Sequence, residues 1–148
     1  MHELRDSKPS SGRSIWLGVA VGFLAQLGLK TLLPMIVLFA TRSWSQAMDD
    51  PSLWLEYPQN TRHPVWYAIQ ASVFAASILA GTVAAMLVSR RSLALPFTLV
   101  TLSLFAAGFE QFPQPLTVLT ILVWTGGPCL GILLGVLLGR WLTRRQTR

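Results

Sequence analysis

The chain has 148 residues, of which 52% are apolar and only 12% charged, and its mean hydropathy is +0.50. A water-soluble fold of this composition would have too little polar surface to cover itself, so the composition predicts a membrane protein. The net charge of +6 raises nucleic acid as a partner. However, most of the basic residues flank long apolar runs and are not interleaved with exposed aromatic residues, a pattern that is typical of charge that sets membrane topology. We therefore expect the lipid bilayer, and no nucleic acid, as a partner.

Four apolar runs approach or reach the roughly 20 residues that a helix needs to cross a bilayer core of about 30 Å. They cover residues of about 15–40, 65–88, 93–109 and 116–138. The third run can cross only with little tilt, and its Pro96 is tolerated because it lies in the first turn after a Ser92 cap. Short loops after the second and third runs predict consecutive helices that are antiparallel and side by side. The predicted fold is an all-α integral membrane protein, an antiparallel bundle of four transmembrane helices.

Charge predicts the orientation of this bundle. One side carries nine basic residues, namely Arg5, Lys8, Arg13, Arg90, Arg91, Arg140, Arg144, Arg145 and Arg148, whereas the other side carries only Arg42 and Arg62. Basic residues are retained on the cytoplasmic face, so both termini are expected there, in a bacterial-type inner membrane. The expected organisation is a cytoplasmic segment 1–13, a membrane domain 14–142 with an outer loop 42–64, and a cytoplasmic tail 143–148. The first run is too long for the apolar part of a signal peptide, so we expect an uncleaved span. The outer loop is expected to lie partly on the membrane surface through Trp44, Met48, Leu53, Trp54 and Tyr57.

A polar cluster is predicted around Lys30, because a cation inside a span costs at least ~2.5 kcal/mol and is seldom kept without a partner or a water-filled cavity. Lys30 lies about 21 Å along its helix from Trp16, and Glu110 lies about 25 Å from the start of the third run, so the two depths nearly match. Gln26 and Gln70 can complete the cluster. Pro34 removes the backbone hydrogen bond that would end on the Lys30 carbonyl. The cluster is either a proton relay or anion site, or a structural ion pair or snorkelling lysine.

Small residues at four-residue spacing predict close helix contacts. Gly127, Gly131, Gly135 and Gly139 form such a ladder in the fourth run, with Gly18 and Gly22 as an expected counterpart in the first run and Ser72, Ala76, Ala80 and Ala84 in the second. These ladders serve either the bundle itself or an oligomer. The sequence Gly126-Gly127-Pro128 predicts a kink near the middle of the fourth run, which is either a packing kink or part of a substrate site.

No serine, histidine, carboxylate or metal-ligand constellation has a usable spacing, so we expect neither an enzyme nor a metal or cofactor site. The single cysteine, Cys129, permits no intrachain disulfide, and His2 and His63 form no metal-ligand spacing. The sequence favours a small polytopic membrane protein that acts by helix association, with itself or as an accessory subunit of a larger complex. The alternative is a small oligomeric transporter or channel whose polar site surrounds Lys30.

Overall fold

A computed structural model describes residues 11–41, 45–46, 49–50, 52, 60–88, 92–110 and 116–146. The regular elements in these ranges are helical: α1 (Ser11–Ala40), α2 (Pro64–Leu87), α3 (Ala94–Ala107), α4 (Val118–Ile121) and α5 (Gly127–Gln146). A π-helical turn (Leu122–Gly126) joins α4 to α5, so these three elements form one rod. The expected surface segment of the outer loop, with Trp44, Met48, Leu53, Trp54 and Tyr57, lies outside the described residues.

Three helices are long and apolar enough to cross a membrane: Ile15–Ala40 within α1, the whole of α2, and the rod over Val118–Arg145. The structure therefore agrees with a helical membrane protein. The third predicted span is shorter than expected. Residues 93–109 contain only the 14-residue helix α3, which rises about 21 Å against a bilayer core of about 30 Å. The fourth rod continues to Gln146, beyond the predicted end near residue 138.

Local side chains explain where the helices begin. The His63 imidazole accepts a hydrogen bond from the Val65 backbone N–H at 3.3 Å, and Pro64 occupies the first turn of α2, where its missing N–H costs nothing. The hydroxyl of Thr117 accepts from the Thr120 backbone N–H at the start of α4, in a capping box. At the start of α3, the N-cap residue is Leu93 and not the predicted Ser92, although the Ser92 hydroxyl accepts from the Ala94 backbone N–H at 3.1 Å.

The helix α2 lies at the centre of the arrangement and packs extensively against α1 and α5. The helix α3 packs against α1 and α5 and touches α2 only slightly. The prediction that consecutive helices lie side by side is therefore wrong for α2 and α3. The physical reason is that two faces of α2 are already occupied, because its small residues allow the backbones of both α1 and α5 to approach closely.

Two buried apolar clusters show how far α3 reaches. The larger cluster takes residues from all the long elements, namely Val19, Ala84, Ala85, Leu95, Leu99, Ile132 and Val136. The second cluster joins Leu38 of α1 to Val65, Ile69 and Val73 of α2. Because α1 and α2 are antiparallel, this second cluster lies towards the C-terminal end of α1, where α3 contributes no member. The C-terminal part of α1 is consequently less covered than its N-terminal part.

Candidate polar site between α1 and α3

Lys30 and Glu110 form an ion pair between α1 and the end of α3, with the Lys30 ammonium donating to Glu110 Oε1. The sequence had left this ion pair open as one of several alternatives for the cluster. Lys30 is far from both ends of the apolar run Ile15–Ala40, at about 22 Å from the first residue and about 15 Å from the last. The side chains of Lys30 and Glu110 remain 24% and 36% exposed. The pair thus joins two helices and is only partly covered by them.

The pair lies at the point where α3 ends. After Ala107, the Gly108 backbone N–H bonds back to the carbonyls of Leu104 and Phe105, both at 3.1 Å, and Glu110 follows in the same closing turn. A carboxylate is unfavourable at a helix C-terminus, where the macrodipole is negative, whereas a cation is favourable there. The Lys30 ammonium therefore offsets both the Glu110 charge and the negative end of α3.

A second polar contact joins the same two helices. The Gln26 amide nitrogen donates to the Ser103 hydroxyl at 2.9 Å, and both residues are buried. Gln26 is one turn before Lys30, and Ser103 is two turns before Glu110, so both contacts require α1 and α3 to run parallel. Four residues of α1 thus match seven of α3, and the length of the lysine side chain bridges the difference. The result is a two-step polar ladder.

Two buried polar atoms have no hydrogen-bond partner among the described residues: Gln26 Oε1 and Trp66 Nε1. Exchanging the oxygen and nitrogen of the Gln26 amide would leave its nitrogen unpaired instead, so one amide atom is unpaired in either orientation. A buried polar group without a partner costs roughly 1–3 kcal/mol. The Gln26 amide, which is only 4% exposed, can therefore take one more hydrogen bond beside the ion pair.

The structure assembles three of the four predicted cluster residues. Gln70 is half-buried on α2 and forms no hydrogen bond with Gln26, Lys30 or Glu110 in the described part of the chain. Ser103 was not among the residues predicted for the cluster. A signal was present, because Ser103 precedes Glu110 by seven residues, a spacing that places two residues of one helix on the same face. Trp66, which carries the other unpartnered atom, is almost fully buried on α2.

The glycine ladders are used inside the chain. A Cβ added at Gly131 or Gly139 would lie 2.8 Å from Ser77 Cβ or 2.5 Å from the Thr82 carbonyl oxygen, and one at Gly135 would meet the Ile78 carbonyl. Gly18 and Gly22 likewise contact α2, through Val88 and Ala84. The expectation that the Gly131/Gly135/Gly139 face packs on Gly18 and Gly22 is therefore wrong. Both ladders pack on α2, because its own glycine and alanines accept a backbone on each side.

The predicted kink sites differ from one another. Pro34 lies inside α1, which is continuous through it. Gly126 ends the π-helical turn Leu122–Gly126 and Pro128 is the second residue of α5, so the helix leaves regular α geometry at and just before the predicted position. Gly127 was expected to pack against a helix, but a Cβ at Gly126 or Gly127 would meet nothing within 4 Å in the described chain. These two glycines therefore belong to the irregular turn and not to the packing ladder.

No protein-family model, curated protein or solved structure matches the chain. Within the described ranges, no three His, Cys, Asp or Glu side chains come together in a group that could hold a metal ion. The chemistry present between α1 and α3 is that of an ion pair, an interhelical hydrogen bond and an amide atom that can accept or donate one more. Such an arrangement can fix two helices together or contact a polar group from outside the chain.

Proposed function

We propose that this chain is a four-span inner-membrane protein with cytoplasmic termini, which acts as a subunit of a membrane assembly. The assembly is either a homo-oligomer or a larger complex in which the chain is an accessory subunit. The proposed orientation follows from nine basic residues on one side against two on the other. The short helix α3 completes a crossing in this proposal because the Lys30 ammonium neutralises the carboxylate at its end.

The observation that carries the proposal is the incomplete cover of the Lys30–Glu110 pair. Charged groups at this depth of a span normally face a bundle interior or a water-filled cavity. Here a quarter of the Lys30 side chain and about a third of the Glu110 side chain are left uncovered. A neighbouring helix that covers the pair would remove it from lipid and could supply a polar contact. The ion pair is therefore proposed to lie at a subunit contact.

The exposure of α1 supports the same location. In the most apolar 18-residue stretch of α1 only 11% is buried inside the chain, whereas the corresponding stretch of α2 is 50% buried. Its exposed large side chains near and beyond Lys30 include Leu27, Leu32, Met35, Ile36 and Phe39. The glycines of α5 do not favour an external contact, because they are already packed on α2. The proposed contact therefore uses α1 and not the glycine ladder.

A transporter or channel is the second candidate function. It is favoured by the buried Gln26 amide, which has an unpaired atom one helical turn from the ion pair. Transport sites usually contain several polar groups around one cavity, and Gln26, Ser103, Lys30 and Glu110 form such a group between α1 and α3. In this proposal, copies of the chain would enclose the polar ladder and pass a small ion or solute along it.

Site-directed photocrosslinking in intact membranes tests the subunit proposal. A photoreactive side chain replaces Leu27, which lies one turn before Lys30 and is 41% exposed. The matched control replaces Leu137, which is 63% exposed on α5. We expect a discrete protein adduct from position 27 and none from position 137, and the mass of the adduct distinguishes a second copy from another protein.

If neither position gives a protein adduct, the proposed assembly at α1 is contradicted. A flux assay separates the two candidate functions. Purified wild-type protein in liposomes should move no ions or small solutes if the chain is an accessory subunit. Flux that is lost in Gln26→Leu, in a variant that retains its position-27 adduct, would instead support the transporter.

A further inference from the structure

An apolar groove lies between α3 and α5, away from the polar ladder. It has a volume of about 570 Å³ and is lined by Leu93, Ala94, Pro96, Phe97, Val100 and Leu133. This volume falls within the range of roughly 300–1,000 Å³ that is common for small-molecule sites. All lining side chains are hydrocarbon, so the part of an occupant that enters the groove must be apolar.

A guanidinium group stands at one end of this groove. Arg140 lies seven residues after Leu133 on α5, so the two side chains share one helix face about 10 Å apart along the axis. The Arg140 Nη2 donates to the Ser92 carbonyl oxygen at 2.6 Å, and Ser92 directly precedes the lining residues Leu93 and Ala94. The hydrogen bond therefore fixes the charge of Arg140 at the mouth of the groove.

The basic end of the bundle has few acidic residues to balance it. The nine basic residues predicted for this side are accompanied by two acidic residues, Glu3 and Asp6. Glu110 is paired with Lys30 and lies at the opposite end of α3. Arginine has five N–H donors, of which the contact with Ser92 uses one, and its fork matches the oxygens of a phosphate.

We propose that this groove binds an anionic glycerophospholipid, with one acyl chain along α3 and α5 and the phosphate on Arg140. The inference rests on the membrane location given under the proposed function. An apolar groove that ends at an interfacial arginine matches both parts of such a lipid, and basic pockets between membrane helices are known sites for anionic headgroups. A free phosphate ion would use Arg140 alone and would leave the groove without a role.

Native mass spectrometry of the purified full chain tests this site. The protein, in mild detergent, is titrated with phosphatidylglycerol or with zwitterionic phosphatidylcholine of the same acyl chains. We expect the wild-type chain to prefer phosphatidylglycerol. Arg140→Gln should lower that preference on the order of fivefold, the effect expected of one interfacial basic residue. Arg145→Gln is the matched control, because Arg145 stacks on Trp141, with its guanidinium carbon 3.8 Å from the ring centroid.

A second variant tests the groove without changing the charge. Ala94→Trp fills the groove at an exposed lining position, so it should weaken the binding of both lipids. Added inorganic phosphate should not compete with the binding of either lipid. Equal binding of the two lipids by the wild-type chain, or an unchanged preference in Arg140→Gln, would overturn the proposal. Competition by inorganic phosphate would also overturn it, because it would show a contact with the headgroup alone. An assembly that persists without a lipid preference overturns this site and leaves the proposed function standing. A monomer that still prefers phosphatidylglycerol would support this site and contradict the proposed function.

Discussion

Removing one charge of the Lys30–Glu110 pair should destabilise the fold more than removing both. In Glu110→Gln, the Lys30 ammonium keeps its charge inside the apolar run but loses its carboxylate partner. In Lys30→Met, the Glu110 carboxylate is left unpaired at the negative end of α3. In the double variant neither charge remains, so the main cost of each single substitution is absent.

The size of the effect follows from depth and exposure. An uncompensated charge at the centre of a span costs ~2.5–3.5 kcal/mol on insertion scales. The pair is 24% and 36% exposed, so either group can turn partly towards polar surroundings once its partner is gone. We therefore expect each single variant to lose about 1–2 kcal/mol of unfolding free energy, with a coupling energy of similar size between the two positions.

Unfolding in mild detergent, followed by circular dichroism for the wild type, both single variants and the double variant, measures this coupling. Gln70→Met is the control, since Gln70 is half-buried on α2 and shares no hydrogen bond with the pair in the described structure. Its effect should add to that of Glu110→Gln within about 0.5 kcal/mol. A coupling near zero between positions 30 and 110 would refute the ion-pair account and leave Lys30 as a snorkelling residue.

Three further predictions concern packing, hydrogen bonding and orientation. Gly135→Ala should destabilise the fold by about 1–3 kcal/mol in thermal unfolding, because the added Cβ would meet the Ile78 carbonyl. Gly28→Ala is the control and should be neutral or slightly stabilising, because its Cβ would meet nothing within 4 Å. Equal effects of the two substitutions would contradict the α2–α5 contact. Ser103→Ala should cost about 0.6–2 kcal/mol in the same assay, because it removes the one partner that the Gln26 amide has in the described chain, and an unchanged stability would show that this hydrogen bond contributes nothing. Reporter fusions at Asp50 and at the C-terminus should report opposite sides of the membrane, and a cytoplasmic signal from Asp50 would reverse the orientation.

Much of the fold could be predicted because apolar runs mark membrane helices directly. The ends of α1 and α2 lie close to the predicted bounds. The length of α3 could not be predicted from hydropathy. The apolar run includes Gly108 and Phe109, but these two residues belong to the turn that closes the helix. The apolar run stops before Arg140, so hydropathy predicts an end near residue 138. The helix continues to Gln146 because arginine is a good helix former.

The polar site was predictable in part for a related reason. Charges inside apolar runs are rare enough to mark Lys30 and Glu110 as a candidate site, and their similar depths made an ion pair one of the alternatives. A serine in an apolar helix is ordinary, so nothing distinguished Ser103 until its place two turns before Glu110 was considered. The partner of the glycine ladder was unpredictable, because regular spacing shows which face can be approached but not which helix approaches it.

The mass of the native particle tests the proposed subunit role most directly. The chain is extracted from its own membrane in mild detergent, without overproduction, and the particle is measured by native mass spectrometry. One chain contributes 16.3 kDa. We expect a particle that contains further protein, either as a whole multiple of the chain mass or as the chain with a defined partner. A particle that holds one chain and lipid alone, across several mild detergents, would contradict it.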